Sequence, residues 1–359
     1  MHTHKINFTP GPSQLYFTVE GHIKSAFKQG VPSISHRTRT FEGYYQHLVE
    51  GLRQLLAIPT SHQIFFCASA TEIWERSIQN LVANKSFHLV NGAFSKRFFE
   101  TAQSLKKDAV KVEVENGMGF RDVKVPPDTE LIAITHNETS TGVSLPLDLI
   151  YSLQAQNPAA LTVVDAVSSL PYVNIDYAKV DSVFFSVQKG FGLPAGLGVW
   201  IVNDRCLSKA EELQRKGQSI GSYHSLLSLQ DHAIKNQTPE TPNVLAIYLL
   251  GKVVEDFNRR GIKAIRSETD YKAATLYQSL TRHPLLQPFV TESGFQSRTV
   301  IVAQTNDQTQ AISAKLGEKG MLPGDGYGAG KKTQLRFANF PTHSREQFEL
   351  LADTLSAFG

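Results

Sequence analysis

Lys189 lies in Phe-Phe-Ser-Val-Gln-Lys-Gly-Phe-Gly-Leu-Pro-Ala-Gly, residues 184–196, where an apolar run ends in a lysine followed by glycines and a proline. Upstream, Leu161-Thr-Val-Val-Asp165 is a second apolar run, ending in an aspartate. An amine can condense with an aldehyde, and a carboxylate can hold a pyridinium nitrogen protonated, so the two residues supply what an aldehyde cofactor needs. A charge at the end of an apolar strand is costly unless it has a partner. The pair is therefore read either as an ion pair or as a cofactor site. Burial would also make the lysine easier to deprotonate, and a neutral amine can be both nucleophile and base.

Other residues could serve the same site. Ser69-Ala70-Thr71 falls between a strand and a helix, where free N–H groups make either an anion site or a plain helix cap. Phe94 follows the strand-like Phe87–Asn91 and reads either as a ring for stacking or as core. Thr135-His-Asn-Glu-Thr-Ser-Thr-Gly142 offers Asn137 and Thr139 as hydrogen-bonding groups, with His136 read as structural. The run Gly324–Thr333 is glycine-rich and ends in lysines, but its spacing is not that of a phosphate loop, and a strand is expected after it. No GxGxxG stands between a strand and a helix, which argues against a dinucleotide enzyme.

Alternating elements must position these groups. Strands are expected at 63–67, 87–91, 110–114, 130–135, 161–165, 182–187 and 198–202. Helices are expected at about 18–29, 39–56, 69–83 and 92–105. Strands separated by helices imply a mostly parallel α/β sheet, with the last pair close enough to form a hairpin. A helix at 245–257 leads to a second region: a helix from 268, strands at 298–303 and 333–337, and helices at 309–317 and 344–358. The domain reading is a large α/β unit over 15–254 and a smaller α+β unit made of 1–14 and 255–359. Phe8–Ser13 reads as turn chemistry.

Bulk properties narrow the class. With 41% hydrophobic and 19% charged residues the chain reads as an ordinary globular protein. The first eight residues lack a signal-peptide core, and no apolar run is long enough to span a bilayer. Two cysteines, Cys67 and Cys206, imply neither a disulfide framework nor a cysteine zinc site, so no metal and a cytoplasmic location are expected. A net charge of +3 with dispersed basic residues gives no nucleic-acid stripe.

Taken in order, Thr9-Pro-Gly-Pro12, Ser35-His36-Arg37, Ser69-Ala-Thr-Glu72, Asn137-Glu-Thr139, Asp165-Ala-Val-Ser-Ser169, Gln188-Lys189, Thr238-Pro-Glu-Thr-Pro-Asn243 and Leu335-Arg336 resemble the class V, fold-type I pyridoxal-phosphate aminotransferases. The resemblance is strongest to the branch acting on phosphoserine, and it runs from Phe8 to the C-terminus. It implies that Lys189 carries the cofactor and serves as catalytic base. Asp165 would hold the ring nitrogen, Phe94 would stack on the ring in place of a tryptophan, and Thr139 would bond the phenolic oxygen. Ala70, Thr71 and Gln188 would hold the cofactor phosphate, with Thr241 reaching over from the second subunit of a homodimer. Arg336 would clamp the substrate α-carboxylate, and His36 and Arg37 would line the substrate pocket. In one respect the chain departs from that branch: Tyr327 and Gly328 stand where it places a His-Arg pair for the substrate phosphate, with Lys331 and Lys332 nearby. The implied activity is amino transfer from phosphoserine to 2-oxoglutarate. The alternatives are serine– or alanine–glyoxylate transamination, a lyase, or a cofactor-binding module without turnover.

Overall fold

The computed structural model describes residues 5–358. The first four residues, read above as part of a segment without a leader, and Gly359 lie outside it. Strand β1 (Ile6–Phe8) is followed by α1 (Val19–Lys28) and α2 (Arg39–Leu56), then β2 (His62–Cys67), α3 (Ala70–Leu81), β3 (Lys85–Val90), α4 (Ala93–Ser104), β4 (Asp108–Glu113) and β5 (Leu131–Thr135). A ribbon of β6 (Asn137–Glu138) and β7 (Val143–Ser144) precedes α5 (Leu147–Gln156), β8 (Leu161–Asp165), β9 (Ser182–Ser186) and β10 (Gly198–Asn203). Helices α6 (Asp204–Arg215), α7 (Leu226–Ala233), α8 (Val244–Arg260) and α9 (Ile262–Arg282) come next. The chain closes with β11 (Gln287–Pro288), β12 (Val300–Gln304), α10 (Thr309–Glu318), β13 (Met321–Asp325), β14 (Gln334–Ala338) and α11 (Arg345–Ser356).

The large sheet has the order β2-β10-β9-β8-β5-β3-β4. Its pairs from β9 to β4 are parallel, and β10 runs antiparallel to both β9 and β2. The carboxyl ends of β2, β3, β5, β8 and β9 therefore share one edge, together with the amino end of β10. Both faces are buried, as the unbroken apolar runs require. Alternation along each strand sends Ile132, Ile134, Val164, Val183 and Phe185 into a core with α1, α2, α5 and α8. Leu131, Ala133, Val163, Phe184 and Trp200 go into a second core with α3, α4 and α6. The result is a three-layer fold-type I α/β architecture.

The small sheet has the order β1-β13-β14-β12-β11, with β1 parallel to β13 and the other pairs antiparallel. Leu335 and Phe337 of β14 enter its core with Phe8, Leu276, Ile312 and Phe348. Arg336, between them, points to the other face.

Several boundaries differ from expectation. Phe8 is the end of a strand, not part of a turn, because it pairs with Pro323 of β13. That partner strand, Met-Leu-Pro-Gly-Asp, lacks the alternation and β-branched residues that mark strands. Helix α9 starts at Ile262, six residues before the expected start. Gly261, at φ +85°, turns the chain sharply between α8 and α9.

Gly190 shows how tightly the end of β9 is set. A Cβ there would lie 2.1 Å from the Leu170 carbonyl oxygen, so only glycine fits beside Lys189. Gly190→Ala is expected to cost roughly 1–3 kcal/mol through forced backbone shifts. Urea unfolding checks this, and an unchanged midpoint would contradict it.

Candidate active site

One cavity opens on the carboxyl edge of the large sheet. Its walls include Ala70, Thr71, Phe94, Thr139, Asp165, Gln188 and Lys189, seven of the eight expected cofactor residues. They come from the ends of β2, β3, β5, β8 and β9, the side of an open α/β sheet where ligands bind.

Lys189 is 8% exposed and Asp165 3% exposed, yet they are not an ion pair. The Asp165 carboxylate instead accepts from the Trp74 indole N–H at 2.8 Å and from the Val167 N–H at 2.9 Å. Lys189 Nζ donates to Thr139 Oγ1 at 3.3 Å and stands 5.3 Å from the Phe94 ring centroid. Burial lowers the Lys189 pKa to about 8, with Arg336 acting in the same direction and Asp165 opposing. Burial also raises Asp165 to about 6, against the two N–H donors and Lys189. The amine is thus poised to lose its proton near neutrality, and the carboxylate is short of a cationic partner.

Thr139 and Asn137 both donate to Ser168 Oγ at 2.8 Å, and that hydroxyl donates to the Asn137 carbonyl at 3.0 Å. This knot fixes the β6 turn beneath Lys189. At the start of α3, Ser69 caps the helix by accepting from the Glu72 N–H, and the Ala70 N–H donates to Ser186 Oγ at 2.8 Å. Ser69 is therefore a helix cap, and Thr71 stands in the first turn of α3, where the helix dipole is positive.

Phe94 is aimed by a residue that the sequence did not single out. Glu138 is fully buried and accepts from the N–H groups of Phe94 at 3.2 Å and Ser95 at 2.9 Å, and from the Ser95 hydroxyl at 2.9 Å. The Ser140 N–H and hydroxyl donate to its other oxygen at 3.1 and 2.6 Å. A carboxylate at a helix N-terminus complements the helix dipole. Gly92 gives it room, since a Cβ there would lie 2.4 Å from Glu138 Cγ. Trp74 was missed in the same way, because its position 91 residues from Asp165 carries no local signal.

Arg336 adjoins this cavity. Its Nε donates to the Asp325 carbonyl at 2.6 Å and its Nη1 to the Thr139 carbonyl at 3.2 Å. Its guanidinium also stands 5.4 Å from the Tyr327 ring centroid. Lys331 and Lys332 lie exposed on a short 3-10 turn. His136 is buried and held near pKa 4, hence neutral at ordinary pH.

His36, Arg37 and Thr241 are not part of the Lys189 cavity. Arg37 donates to Gln237 Oε1 at 2.7 Å and to the Pro239 carbonyl at 3.1 Å. His36 meets Phe41 edge-on, and burial followed by the Arg37 charge lowers its pKa. Thr241 lines a neighbouring cavity with Glu72, Arg76 and His224. Within one chain, these three residues therefore gather around the segment 237–243. Cys67, Glu72 and His224 offer atoms within 4.8 Å of one another. The His224 ring nitrogens face Glu72 and Glu240, however, and these carboxylates raise its pKa to about 9 despite burial, so an imidazolium between two glutamates accounts for the cluster.

The family pattern described as Aminotransferase class-V matches residues 7–322. The chain belongs to the class-V aminotransferases. A phosphoserine aminotransferase of Rhodococcus opacus is 28% identical over 327 residues, covering 89% of this chain and 86% of that one. The crystal structure of a phosphoserine aminotransferase from Cytophaga hutchinsonii is 49% identical, covers 99% of both chains and superposes with a TM-score of 0.98. An alanine–glyoxylate aminotransferase from a Nostoc species shares the fold, with a TM-score of 0.79 at 20% identity, over 99% of this chain and 95% of that one. Class-V aminotransferases use pyridoxal phosphate. The residues present fit that group: an unpaired buried lysine, a carboxylate facing the same cavity, an aromatic ring beside them and a helix N-terminus. Among the described residues, no helix is long and apolar enough to cross a membrane.

Two outcomes are expected. Capture of added pyridoxal phosphate by the cofactor-free enzyme needs the neutral amine, so its rate should rise with pH and level off above about 8. Stopped-flow absorbance checks this, and a flat profile from pH 6 to 9 would contradict it. Glu138→Gln turns one acceptor oxygen into an NH2 facing N–H donors, loses charge-assisted hydrogen bonds, and should lower stability by about 1.5–3 kcal/mol in urea unfolding.

Proposed function

We propose that this class-V aminotransferase moves the amino group of O-phospho-L-serine to 2-oxoglutarate, giving 3-phosphooxypyruvate and glutamate. Amino transfer rests on one observation: a buried lysine and a buried aspartate share a cavity without pairing to each other. The choice of phosphoserine is supported by the relatives, which are named for that activity and align along nearly the whole chain.

When bound, pyridoxal phosphate supplies an aldehyde carbon and a ring that withdraws electrons. Their positions around the cavity support the following roles for this chain's residues. The first turn of α3, with Ala70 and Thr71, would hold the phosphate together with Gln188. Asp165 would hold the ring nitrogen protonated, Phe94 would pack against the ring, and Thr139 would bond its phenolic oxygen. Arg336 holds the substrate α-carboxylate by a planar fork that a lysine does not reproduce. Lys189 accepts the proton from the substrate Cα at Nζ and returns it on the other side of the reaction, the task its lowered pKa suits.

The working unit in this reading is a homodimer in the cytoplasm. Thr241, His36 and Arg37 lie together outside the Lys189 cavity of their own chain, and a second copy would bring them to it. We read the two sheets as two units, 15–254 and 1–14 with 255–359, joined where α8 runs across the boundary. A second reading, a donor without phosphate, is favoured by Tyr327 in place of a cationic pair.

Single-turnover spectra with a panel of amino acids decide between the readings: the fastest reaction is expected with O-phospho-L-serine, and a preference for L-alanine or L-serine would select the second. Lys189→Ala should lose transamination by at least about a thousandfold, the span of general acid–base and nucleophilic roles combined. Unchanged turnover would sink both readings.

A further inference from the structure

Arg97 lies one helical turn beyond Phe94 on α4, so the two side chains project from the same face. The Arg97 guanidinium stands 5.6 Å from the Phe94 ring centroid and 5.7 Å from that of Tyr327, and its Nη2 donates to the Tyr327 hydroxyl. The two rings are in tilted contact at 5.5 Å. Arg336 approaches the same Tyr327 ring at 5.4 Å. Two guanidiniums thus flank one tyrosine at the edge of the Lys189 cavity. Among the described residues neither forms an ion pair, although α4 carries Glu100 close by, which pairs with Lys96. A cavity beside Tyr327 is lined by Lys96, Ser140 and Asn116, with Glu113 also on its wall. The Glu113 charge is met by Lys111.

We infer that Arg97 is a specificity-determining residue, the cation that receives the distal phosphate of the substrate while Arg336 holds the α-carboxylate. This rests on the phosphoserine reading and deepens it. The strand-side segment that lacks a His-Arg pair supplies a hydroxyl through Tyr327, and the fork comes from helix α4 instead. An arginine suits the task, because its planar donors match phosphate oxygens two at a time. Tyr327 holds that fork by its hydroxyl and by its ring face, and so limits the rotamers that Arg97 would lose on binding. Exposure of Arg97 leaves it reachable by a ligand entering from solvent.

The test uses holoenzyme in single-turnover absorbance, comparing O-phospho-L-serine with L-serine as donors. The quantity read is the ratio of their second-order rate constants. Loss of one charge-assisted contact corresponds to about a 10- to 100-fold fall in that ratio, expected for Arg97→Gln and smaller for Arg97→Lys, which keeps the charge and loses the fork. Inorganic phosphate should compete with O-phospho-L-serine on the native enzyme and at least tenfold more weakly on Arg97→Gln. A thermal unfolding midpoint close to the native one accompanies this result, since Arg97 is exposed. Three results would overturn the inference. A native enzyme that prefers phosphoserine, with a ratio unmoved by Arg97→Gln, removes Arg97 and leaves the function standing. Equal losses with both donors mark Arg97 as structural. No preference for phosphoserine in the native enzyme removes the function and the inference together.

Discussion

Two buried charges of opposite sign face one cavity without neutralising each other. Burying either alone is costly, and a direct pair would be the cheaper arrangement. The fold prevents it by giving the Asp165 carboxylate to the Trp74 indole and the Val167 amide, and by leaving Lys189 a weak contact with Thr139. The cost appears as a lysine lowered to about 8 and an aspartate raised to about 6. Each is thereby left needing something a ligand can bring, and the rest of the site consists of what keeps these two groups apart and aimed.

Strand direction does most of that work. Five strands end on one edge, and each contributes a short turn carrying one or two site residues. The loops are braced by polar contacts specific to them: Ser168 beneath Asn137 and Thr139, Ser186 against Ala70, and Glu138 against the first turn of α4. These braces are buried, so each is an all-or-none constraint in which a missing partner leaves an unsatisfied group. Arg336 comes from the other sheet, and its bond to the Thr139 carbonyl ties that sheet to the β6 turn beneath Lys189.

Much of this was legible in the sequence because it is local. Apolar runs that end in a lone charge mark Lys189 and Asp165, and polar clusters after apolar strands mark Ser69–Thr71 and Asn137–Thr139. The braces were not legible. Trp74 sits among ordinary helix residues, and nothing near it announces a partner 91 positions away. Glu138 stood inside a recognised polar cluster, but its neighbours were the better-known donors, and the helix it caps lies on another strand's loop. Strand β13 was hidden by Pro323 and Gly324, which read as loop residues yet are accommodated where β13 pairs with β1 and β14. Arg97 was one basic residue among 36 until the fold set it against Tyr327.

The pairing of β1 with β13 has a consequence for how the protein is made. Residues 6–8 leave the ribosome long before their partner strand at 321–325. Phe8 is apolar, destined for full burial, and has no core to enter until Phe337 and Phe348 have been synthesised. The large sheet, by contrast, is complete once β10 has emerged, so a nascent chain owns the Lys189 pocket well before it owns Arg336. Synthesis therefore passes through a stage with a formed cavity and an unsealed small sheet, when the protein depends most on being shielded from its neighbours.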